Sequence, residues 1–282
     1  MGLGPRVGMA ALLLVATPCM MAAYTSVTTR WPGHVKGAIK LVGTPPSPSA
    51  FLVGVDNAAC GSSVPDDSLV ITKSGQVQGA VVYVEEISQG KEPPRRTANL
   101  EVRKCQLQPH VMTLTSGEEL SLGTSDAIFH NLRGSYLGPD AVMPGRSLFN
   151  LALPPGSQRA RIKFREPGIT LITGQLGHDW MRAVIRVFDH PYHTVSGGEG
   201  TYELRDLPAG TYRIHVWHER LGEAVREVTV RAGYVERVDL ELPVEGLRNP
   251  PWGMPAAAPV EATPVSPTPA KAVTPAPNTP AP

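Results

Sequence analysis

The sequence predicts an all-β protein whose short strands pack as sandwiches. Apolar and polar residues alternate with a period of two, and Gly or Pro interrupts each run after a few residues. The 282 residues include 28 Gly and 29 Pro but only 18% charged residues, which is typical of a turn-rich chain with little helix. This composition excludes a helical bundle, a coiled coil and a polytopic membrane protein.

The charges are nearly balanced. Lys and Arg total 26 against 25 for Asp and Glu, which gives a formal net charge of +1. A nucleic-acid-binding protein needs an excess of basic residues gathered on one face. We therefore expect no nucleic-acid partner.

Residues 1–23 have the pattern of a secretory signal peptide. Arg6 supplies the basic start, and the apolar run from Val7 to Ala16 is too short to cross a bilayer comfortably. Small residues follow, and we expect cleavage near Ala23, with an uncleaved N-terminal anchor as the alternative. No later segment reaches transmembrane length. We therefore expect a periplasmic or secreted protein with no membrane span once the leader is removed.

Period-two patterns between Trp31 and Val244 predict the strands in order. They cover Val35 to Val42, Gln78 to Val84, Val111 to Leu114, Leu120 to Leu122, Arg159 to Phe164, Ile169 to Thr173, Ala183 to Phe188, Arg213 to His218, Arg226 to Val230 and Val235 to Leu242. The turn Ser116-Gly117-Glu118 predicts a hairpin between its neighbouring strands. Alternation places Ile214 in the core and leaves Arg213 and Trp217 on the outer face.

Pro and Ala dominate the chain after residue 244, where almost no apolar side chain is available for packing. Such a segment cannot bury enough surface to offset its ordering entropy. We expect a disordered, polyproline-like tail over residues 245–282.

Two cysteines, Cys60 and Cys105, follow the leader. In an oxidising compartment a pair most simply forms a disulfide. The alternative is a free thiol that acts as a metal ligand.

The segment Leu207-Pro208-Ala209-Gly210-Thr211-Tyr212, followed by an alternating strand, resembles the carboxypeptidase regulatory-like (transthyretin-like) sandwich. This resemblance implies that the strands Val35 to Val42 and Ala80 to Val84 are the first strands of the same domain. It implies a fold and says nothing about activity.

A second set of motifs covers nearly the whole ordered chain. They are Cys105-x-x-x-Pro109-His110-Val111, Ser125-Asp126-x-x-x-His130-Asn131, Phe149-Asn150, Pro167-Gly168, His178-Asp179-Trp180-Met181-Arg182-Ala183, Asp189-His190-Pro191-Tyr192 and Trp217-His218-Glu219-x-Leu221-Gly222. Together they resemble a bacterial periplasmic family that joins a cupredoxin-like (plastocyanin-like) domain to the regulatory-like sandwich. This resemblance implies a cupredoxin-like Greek-key sandwich and makes Cys105 the disulfide partner of Cys60.

The cupredoxin resemblance also implies a ligand set for copper. A blue copper site takes two imidazoles, one thiolate and a weak axial thioether. The corresponding residues are His130, His178 and Met181, but Gln175 stands at the usual Cys position. An amide oxygen cannot supply the covalent copper–sulfur bond of a blue site. His110 ranks below the other two histidines as a ligand.

Two interpretations of these residues remain open. In the first they form a weak, non-blue copper site that lacks a thiolate. In the second the scaffold persists without a metal, Trp180 and Met181 pack in the core, and the histidines bond to loop backbone. Loss of the most demanding ligand favours the second interpretation.

The remaining histidine pairs are poorer candidates. His215 and His218 lie three apart in a strand, so they point to opposite faces and do not converge on one ion. His190 and His193 lie at a strand end and more simply bond to loop atoms. The sequence also contains no nucleophile elbow, phosphate-binding glycine loop or zinc-protease motif, so we predict no enzymatic activity.

The predicted organisation is a signal peptide (1–23), N-terminal strands and loops of the sandwich (32–100), a cupredoxin-like domain (101–190), the C-terminal half of the regulatory-like domain (191–244) and the tail (245–282). The predicted function is a secreted, non-enzymatic protein with a degenerate copper site and a periplasmic redox protein as partner. The alternative is a binding or scaffold module that uses its loops, or Arg213 and Trp217, to contact glycan, envelope or another protein.

Overall fold

The computed structural model describes residues 24–249, 252–253 and 258–259. The predicted signal peptide lies outside the described residues. Among the helices of the described part, none is long and apolar enough to cross a bilayer.

Strands make up most of the described chain, so the all-β prediction is confirmed. In chain order they begin with β1 (Thr25–Ser26), β2 (Gly33–Val42), β3 (Ser49–Leu52), β4 (Ser63–Pro65), β5 (Val81–Val84), β6 (Gln89–Gly90), β7 (Thr97–Arg103), β8 (Gln106–Gln108), β9 (Val111–Thr115), β10 (Glu119–Thr124) and β11 (His130–Gly138). They continue with β12 (Arg146–Leu153), β13 (Ala160–Lys163), β14 (Gly168–Gly174), β15 (Arg182–Phe188), β16 (His193–Val195), β17 (Thr201–Leu207), β18 (Gly210–His218), β19 (Gly222–Val230), β20 (Val235–Arg237), β21 (Leu240–Pro243) and β22 (Ala258–Pro259). The described helices are one turn, α1 (Asn57–Cys60), and a 3₁₀ turn at Val244–Gly246.

Strands β7 to β15 form one sandwich, which we call the inserted sandwich. One of its sheets has the order β13-β10-β7-β8 and the other has the order β12-β11-β14-β15-β9. Leu100 and Leu122 from the first sheet pack against Leu132, Ile172 and Ile185 from the second in one buried cluster. In the first sheet these residues alternate with more polar neighbours, whereas β9, β14 and β15 of the second sheet are buried on both faces.

A second sandwich, which we call the flanking sandwich, takes strands from both sides of the inserted one. Strand β2 pairs with β17, β20 and β21, while β5 pairs with β16 and β18. Val35 and Ile39 from β2 share a buried cluster with Val82 and Ile214. This pairing agrees with the expectation that the strands near residues 35–42 and 80–84 belong with the C-terminal strands.

A third buried cluster joins the two sandwiches and corrects the prediction for Trp217. The indole is only 9% exposed, because the outer face of the sheet that contains β18 is covered by the inserted sandwich. Trp217 packs there with Val111, Val184 and Phe188. Sequence alternation identified the two faces of β18 correctly but could not show that both are covered. Trp217 is therefore not available as an exposed contact residue.

The predicted hairpin around Gly117 is wrong. Strand β9 pairs with β15, whereas β10 pairs with β7 and β13, so the turn carries the chain from one sheet to the other. The turn is held by both sheets, since Ser116 N–H donates to the Phe188 carbonyl at the end of β15 and Gly117 N–H donates to the Phe164 carbonyl just after β13.

The described structure extends past the predicted start of the tail. Residues 244–249 are described, Trp252 is buried in the third cluster, and β22 pairs with β3. The indole provides the apolar surface that the composition of the tail otherwise lacks. The rest of the predicted tail, 250–251, 254–257 and 260–282, lies outside the described residues.

The loop between β3 and β4 lies against the inserted sandwich, although β3 follows β2 of the flanking sandwich. We call residues 53–62 the strap. Phe51, Val53 and Val64 pack in the core of the inserted sandwich, and Cys60 of α1 forms a disulfide with Cys105. The predicted disulfide is thus confirmed, and closing a loop of 45 residues stabilises the fold by roughly 4 kcal/mol in the chain-entropy model.

Gly37 provides a test of the sheet that contains β2. A Cβ at Gly37 would lie 1.9 Å from the carbonyl oxygen of Val238, so this approach of the two backbones requires glycine. We expect Gly37→Ala to lower the free energy of unfolding by about 1–3 kcal/mol, as overpacking does. Gly198→Ala is the matched control, because nothing lies within 4 Å of its Cβ position. Chemical denaturation of both variants checks this prediction, and equal stability would contradict it.

Candidate metal centre

Asp126 organises one end of the inserted sandwich. Its carboxylate accepts hydrogen bonds from the backbone N–H groups of Lys104 at 2.6 Å and Cys105 at 2.8 Å. Both residues have positive φ values, 52° and 56°, in the turn between β7 and β8. Consecutive N–H groups aimed at one point form a concave site for an anion, and here the anion is a side chain of the protein itself.

His130, the first residue of β11, is completely buried beside this carboxylate. Its Nε2 lies 3.1 Å from Oδ2 of Asp126, and its Nδ1 is buried without a hydrogen-bond partner. Because a carboxylate only accepts, we assign the ring hydrogen to Nε2, which leaves the Nδ1 lone pair free. Burial lowers the pKa of His130, and the nearby charge of His178 lowers it further, although Asp126 opposes this shift.

His178 lies in the loop from Gln175 to Met181 that joins β14 to β15. This loop folds back on itself, with His178 N–H bonded to the Gln175 carbonyl and Met181 N–H to the His178 carbonyl. The ring centroids of His130 and His178 are 5.2 Å apart. The structure therefore brings the two predicted imidazoles together.

The strap contributes a second carboxylate, Asp56, to the site. Its Oδ2 lies 3.0 Å from Nε2 of His178, but the angle does not satisfy a hydrogen bond. The contact is therefore electrostatic. Each predicted imidazole thus has a carboxylate beside its Nε2.

The other two residues of the predicted ligand set, Met181 and Gln175, have different surroundings. Met181 is buried in the core cluster and, like His178, packs against Gly174, where an added Cβ would lie 2.9 Å from the Met181 Cβ. The Gln175 amide donates to Oγ1 of Thr173 at 3.1 Å and to the Gly174 carbonyl at 2.9 Å. The residue at the usual thiolate position is thus bonded to its own strand.

His130 has two neighbours, Cys105 and Asp126, that the cupredoxin resemblance does not include in the ligand set. Sγ of Cys105, a carboxylate oxygen of Asp126 and a ring nitrogen of His130 all lie within 4.8 Å of one another. The motif Ser125-Asp126-x-x-x-His130 contained the acid and the imidazole, but nothing in it assigned Asp126 a role. The proximity of Cys105 depends on the turn between β7 and β8, which no spacing rule reveals.

The donor set fits a weak copper site. It offers two buried imidazoles, each with one ring nitrogen that lacks a hydrogen-bond partner, and Met181 is buried at the end of the loop that contains His178. It offers no free thiolate, because both described cysteines are in the disulfide. Imidazole suits Cu(II), whereas a blue centre requires the sulfur–copper bond.

His110 belongs to a separate cluster. Its Nε2 makes a short hydrogen bond to Glu219, and its Nδ1 lies 3.2 Å from Oδ1 of Asp67. Burial alone would lower the pKa of His110, but the carboxylates of Glu219 and Asp67 together raise it well above its usual value. A protonated imidazole has no lone pair for a metal, so His110 is a poor ligand here.

The other predicted histidine pairs bond elsewhere. Nδ1 of His190 accepts from Tyr192 N–H, and Nε2 of His193 lies 3.0 Å from Oγ1 of Thr115. His215 lies between Glu85 and Glu223, while Nδ1 of His218 accepts from Arg220 N–H. Burial lowers the pKa of both His193 and His218 to about 3.

Comparison with protein families identifies one domain. The model of the carboxypeptidase regulatory-like domain matches residues 171–243. This stretch of the chain is therefore similar to that domain. The match begins in β14 of the inserted sandwich and ends in β21 of the flanking one. No curated protein matches the chain.

Solved structures similar to part of the chain include copper proteins. A purple cupredoxin from Nitrosopumilus maritimus is 19% identical, with 32% of this chain and 98% of that protein covered and a TM-score of 0.27. A copper-containing nitrite reductase from Thermus scotoductus is 18% identical over 37% of this chain and 25% of the enzyme, with a TM-score of 0.28. A reduced amicyanin variant is 14% identical over 38% of this chain and 97% of amicyanin, with a TM-score of 0.28.

The His110 cluster predicts a pH dependence of stability. A histidine whose pKa is raised in the folded state stabilises the protein fully below its unfolded pKa of about 6.5, and this contribution is lost as the pH rises through the folded pKa. The charged or titratable groups around it are Asp67, Glu219, His218 and Arg182. The free energy of unfolding of the wild type should therefore decline above neutral pH. We expect His110→Gln to lack this decline.

Unfolding free energies measured by denaturant at several pH values from about 6 to 9 check this prediction. His34→Gln, a half-buried imidazole on β2, is the control for loss of a ring elsewhere. If the curve of the His110 variant stays parallel to that of the wild type, the carboxylates do not stabilise a charged His110.

Proposed function

We propose that the chain is an exported, non-enzymatic, cupredoxin-like protein with a thiolate-free copper site. His130 and His178 are the principal ligands, Met181 is a weak one, and Gln175 stands in place of the usual cysteine. The observation that carries this proposal is the fully buried His130, with Nε2 held by Asp126 and Nδ1 unpartnered.

The second nitrogen of His130 supports this role. A histidine that binds a metal usually donates its other ring N–H to a carboxylate, which fixes the tautomer and the ring orientation. Asp126 holds His130 in this way. A buried nitrogen without a partner is otherwise costly, since its desolvation is uncompensated. Binding a cation would offset that cost.

The character of the site follows from Gln175. Copper bound by imidazoles without a thiolate lacks the covalent bond that gives blue sites their colour and tuned potential. Two nitrogen ligands and a thioether also bind less tightly than a set that includes a thiolate. We therefore propose weak, non-blue binding.

Burial of the site favours binding over catalysis. His130 is 0% exposed and His178 is 2% exposed, and the strap places Asp56 beside His178. A substrate would need an open coordination position that it could reach from solvent. We therefore propose no enzymatic role, and a periplasmic redox protein as partner for any exchange of copper or electrons.

The disulfide supports the proposed location. Disulfides persist in oxidising compartments such as the periplasm and the extracellular space. The Cys60–Cys105 bond therefore favours export, in agreement with the signal peptide predicted from the sequence.

A second candidate function is a binding module, favoured by a cavity of about 980 Å³ between the two sandwiches. Its polar lining includes Gln78, Arg96, His110 and Ser196. Hydroxyl-rich ligands such as glycans suit such a lining, and envelope or protein partners are the other choices. Because Trp217 is buried, this cavity replaces the exposed indole as the basis of the alternative.

Titration of the purified, oxidised protein with Cu(II) tests the proposed function. We expect one copper per chain without an intense sulfur-to-copper absorption band, and a loss of affinity of about tenfold or more in His130→Ala and in His178→Ala. His34→Ala is the control, because that imidazole lies on β2 of the flanking sandwich. Absence of binding, or equal binding by all variants, would favour the binding-module alternative.

Gln175→Cys tests whether the pocket retains cupredoxin geometry. The substitution returns a thiolate to the predicted position, so the copper-treated variant should show an intense visible charge-transfer band. Gln175→Ser removes the same amide without adding sulfur and should remain colourless. Absorption and electron paramagnetic resonance spectra check this, and a colourless cysteine variant would mean that the ligands do not converge.

A further inference from the structure

The sulfur that the ligand set lacks is present beside it in oxidised form. Sγ of Cys105 lies within 4.8 Å of a ring nitrogen of His130 and of a carboxylate oxygen of Asp126. In the disulfide that sulfur is bonded to Cys60 and carries no negative charge. The ring nitrogen of His130 that faces Asp126 is Nε2, 3.1 Å from Oδ2, so a cation bound among the three side chains would take the place of that hydrogen bond.

We propose that the Cys60–Cys105 disulfide masks a second metal-binding mode, in which the Cys105 thiolate, His130 and Asp126 bind a divalent cation of the zinc class. The inference rests on the proposed function only in using His130 as a ligand. It adds a donor that the cupredoxin resemblance does not place there, and it makes the type of metal bound depend on the redox state of the disulfide.

The chemical step is a two-electron reduction. A dithiol reductant transfers two electrons and two protons to the disulfide and becomes a disulfide itself, which leaves the thiols of Cys60 and Cys105. When the cation binds, the Cys105 thiol releases its proton to solvent and its sulfur forms the bond to the metal. No other oxidant or reductant is needed.

Cys105 should keep its position after reduction. Its backbone N–H donates to Asp126 at 2.8 Å, and its carbonyl accepts from Nε1 of Trp180 at 2.9 Å. Neither contact involves the disulfide. The sulfur therefore stays beside His130 when the bond to Cys60 is broken.

Cys60 packs in the core cluster of the inserted sandwich, and its N–H donates to the Asp56 carbonyl at 2.9 Å. It ends the four-residue helix α1, whose N-cap Asp56 makes no capping hydrogen bond through its side chain. Asn57, Ala58, Ala59 and Gly61 around it are all exposed. Opening of this exposed turn gives a reductant access to the disulfide, and Cys60 moves away with the strap once it is released.

The donor types select the metal. Thiolate, imidazole and carboxylate together are typical ligands of Zn²⁺, whereas the oxidised site offers imidazoles and a thioether. The N–H groups of Lys104 and Cys105 hold the Asp126 carboxylate in position beside His130. Co²⁺ is a suitable probe, because a bond from thiolate to Co²⁺ produces a charge-transfer absorption that Zn²⁺ lacks.

Two variants that lack the same cross-link separate the roles of the cysteines. Cys60→Ser leaves Cys105 as a permanent free thiol, and Cys105→Ser leaves Cys60 as one. We expect Cys60→Ser to bind Co²⁺ about tenfold or more tightly than Cys105→Ser and to show the sulfur-to-cobalt band, which Cys105→Ser should lack. Circular dichroism verifies that both variants are folded.

Wild-type protein provides the second measurement, which does not depend on a variant. It is treated with a dithiol, separated from it by gel filtration without oxygen, and titrated with Co²⁺. It should behave like Cys60→Ser, and adding His130→Ala to Cys60→Ser should abolish the band. Equal Co²⁺ binding by the two cysteine variants, or no band in the reduced wild type, would overturn the inference.

The outcomes also separate this inference from the proposed function. If the oxidised protein binds no Cu(II) but Cys60→Ser binds Co²⁺ with the band, the proposed function fails and the masked site stands. If the oxidised protein binds Cu(II), but neither Cys60→Ser nor the reduced wild type binds Co²⁺ through sulfur, the proposed function stands and the masked site fails.

Discussion

Strand β5 is the element on which the two-sandwich arrangement depends. Side chains on its two faces pack in different cores. Val82 packs in the flanking sandwich, and Val81 packs in the cluster between the sandwiches. Its neighbour β16 is the strand that follows the insertion, and the register pairs Tyr83 with His193. The chain therefore enters the inserted sandwich after β5 and returns from it at β16, the neighbour of β5 in the sheet. This geometry lets a complete second core form without breaking the pairing of the first.

The candidate site depends in turn on the link between the sandwiches. The strap starts from strands that precede β5, yet it places Asp56 beside His178 and Cys60 against Cys105. Asp126 then ties the turn that carries Cys105 to His130. The inserted sandwich supplies the imidazoles, while the part of the chain before β5 supplies one carboxylate and half of the disulfide. A metal bound there would therefore stabilise the association of the two parts as well as the loop around Gln175.

Patterns within a single strand could be predicted from the sequence, whereas contacts between layers could not. Alternation identified the inner face of β18, including Ile214, and the motifs identified His130 and His178 as neighbours. The burial of Trp217 escaped prediction, because period two distinguishes the two faces of a sheet but not whether the outer face is covered. Asp56 lies beside His178 although 122 positions separate them in the printed sequence, and a loop contact of that kind leaves no periodic signal.

The replacement of a thiolate by Gln175 does not remove sulfur from this end of the fold. A cysteine at position 175 would be a permanent ligand, whereas Cys105 is a conditional one that the disulfide withholds. In an oxidising compartment the disulfide leaves the site without a thiolate. Metals that prefer thiolate ligands are therefore disfavoured there. Reduction frees the strap from Cys105 and at the same time provides the donor. A single covalent bond thus couples access to the site with the kind of metal that the site can hold.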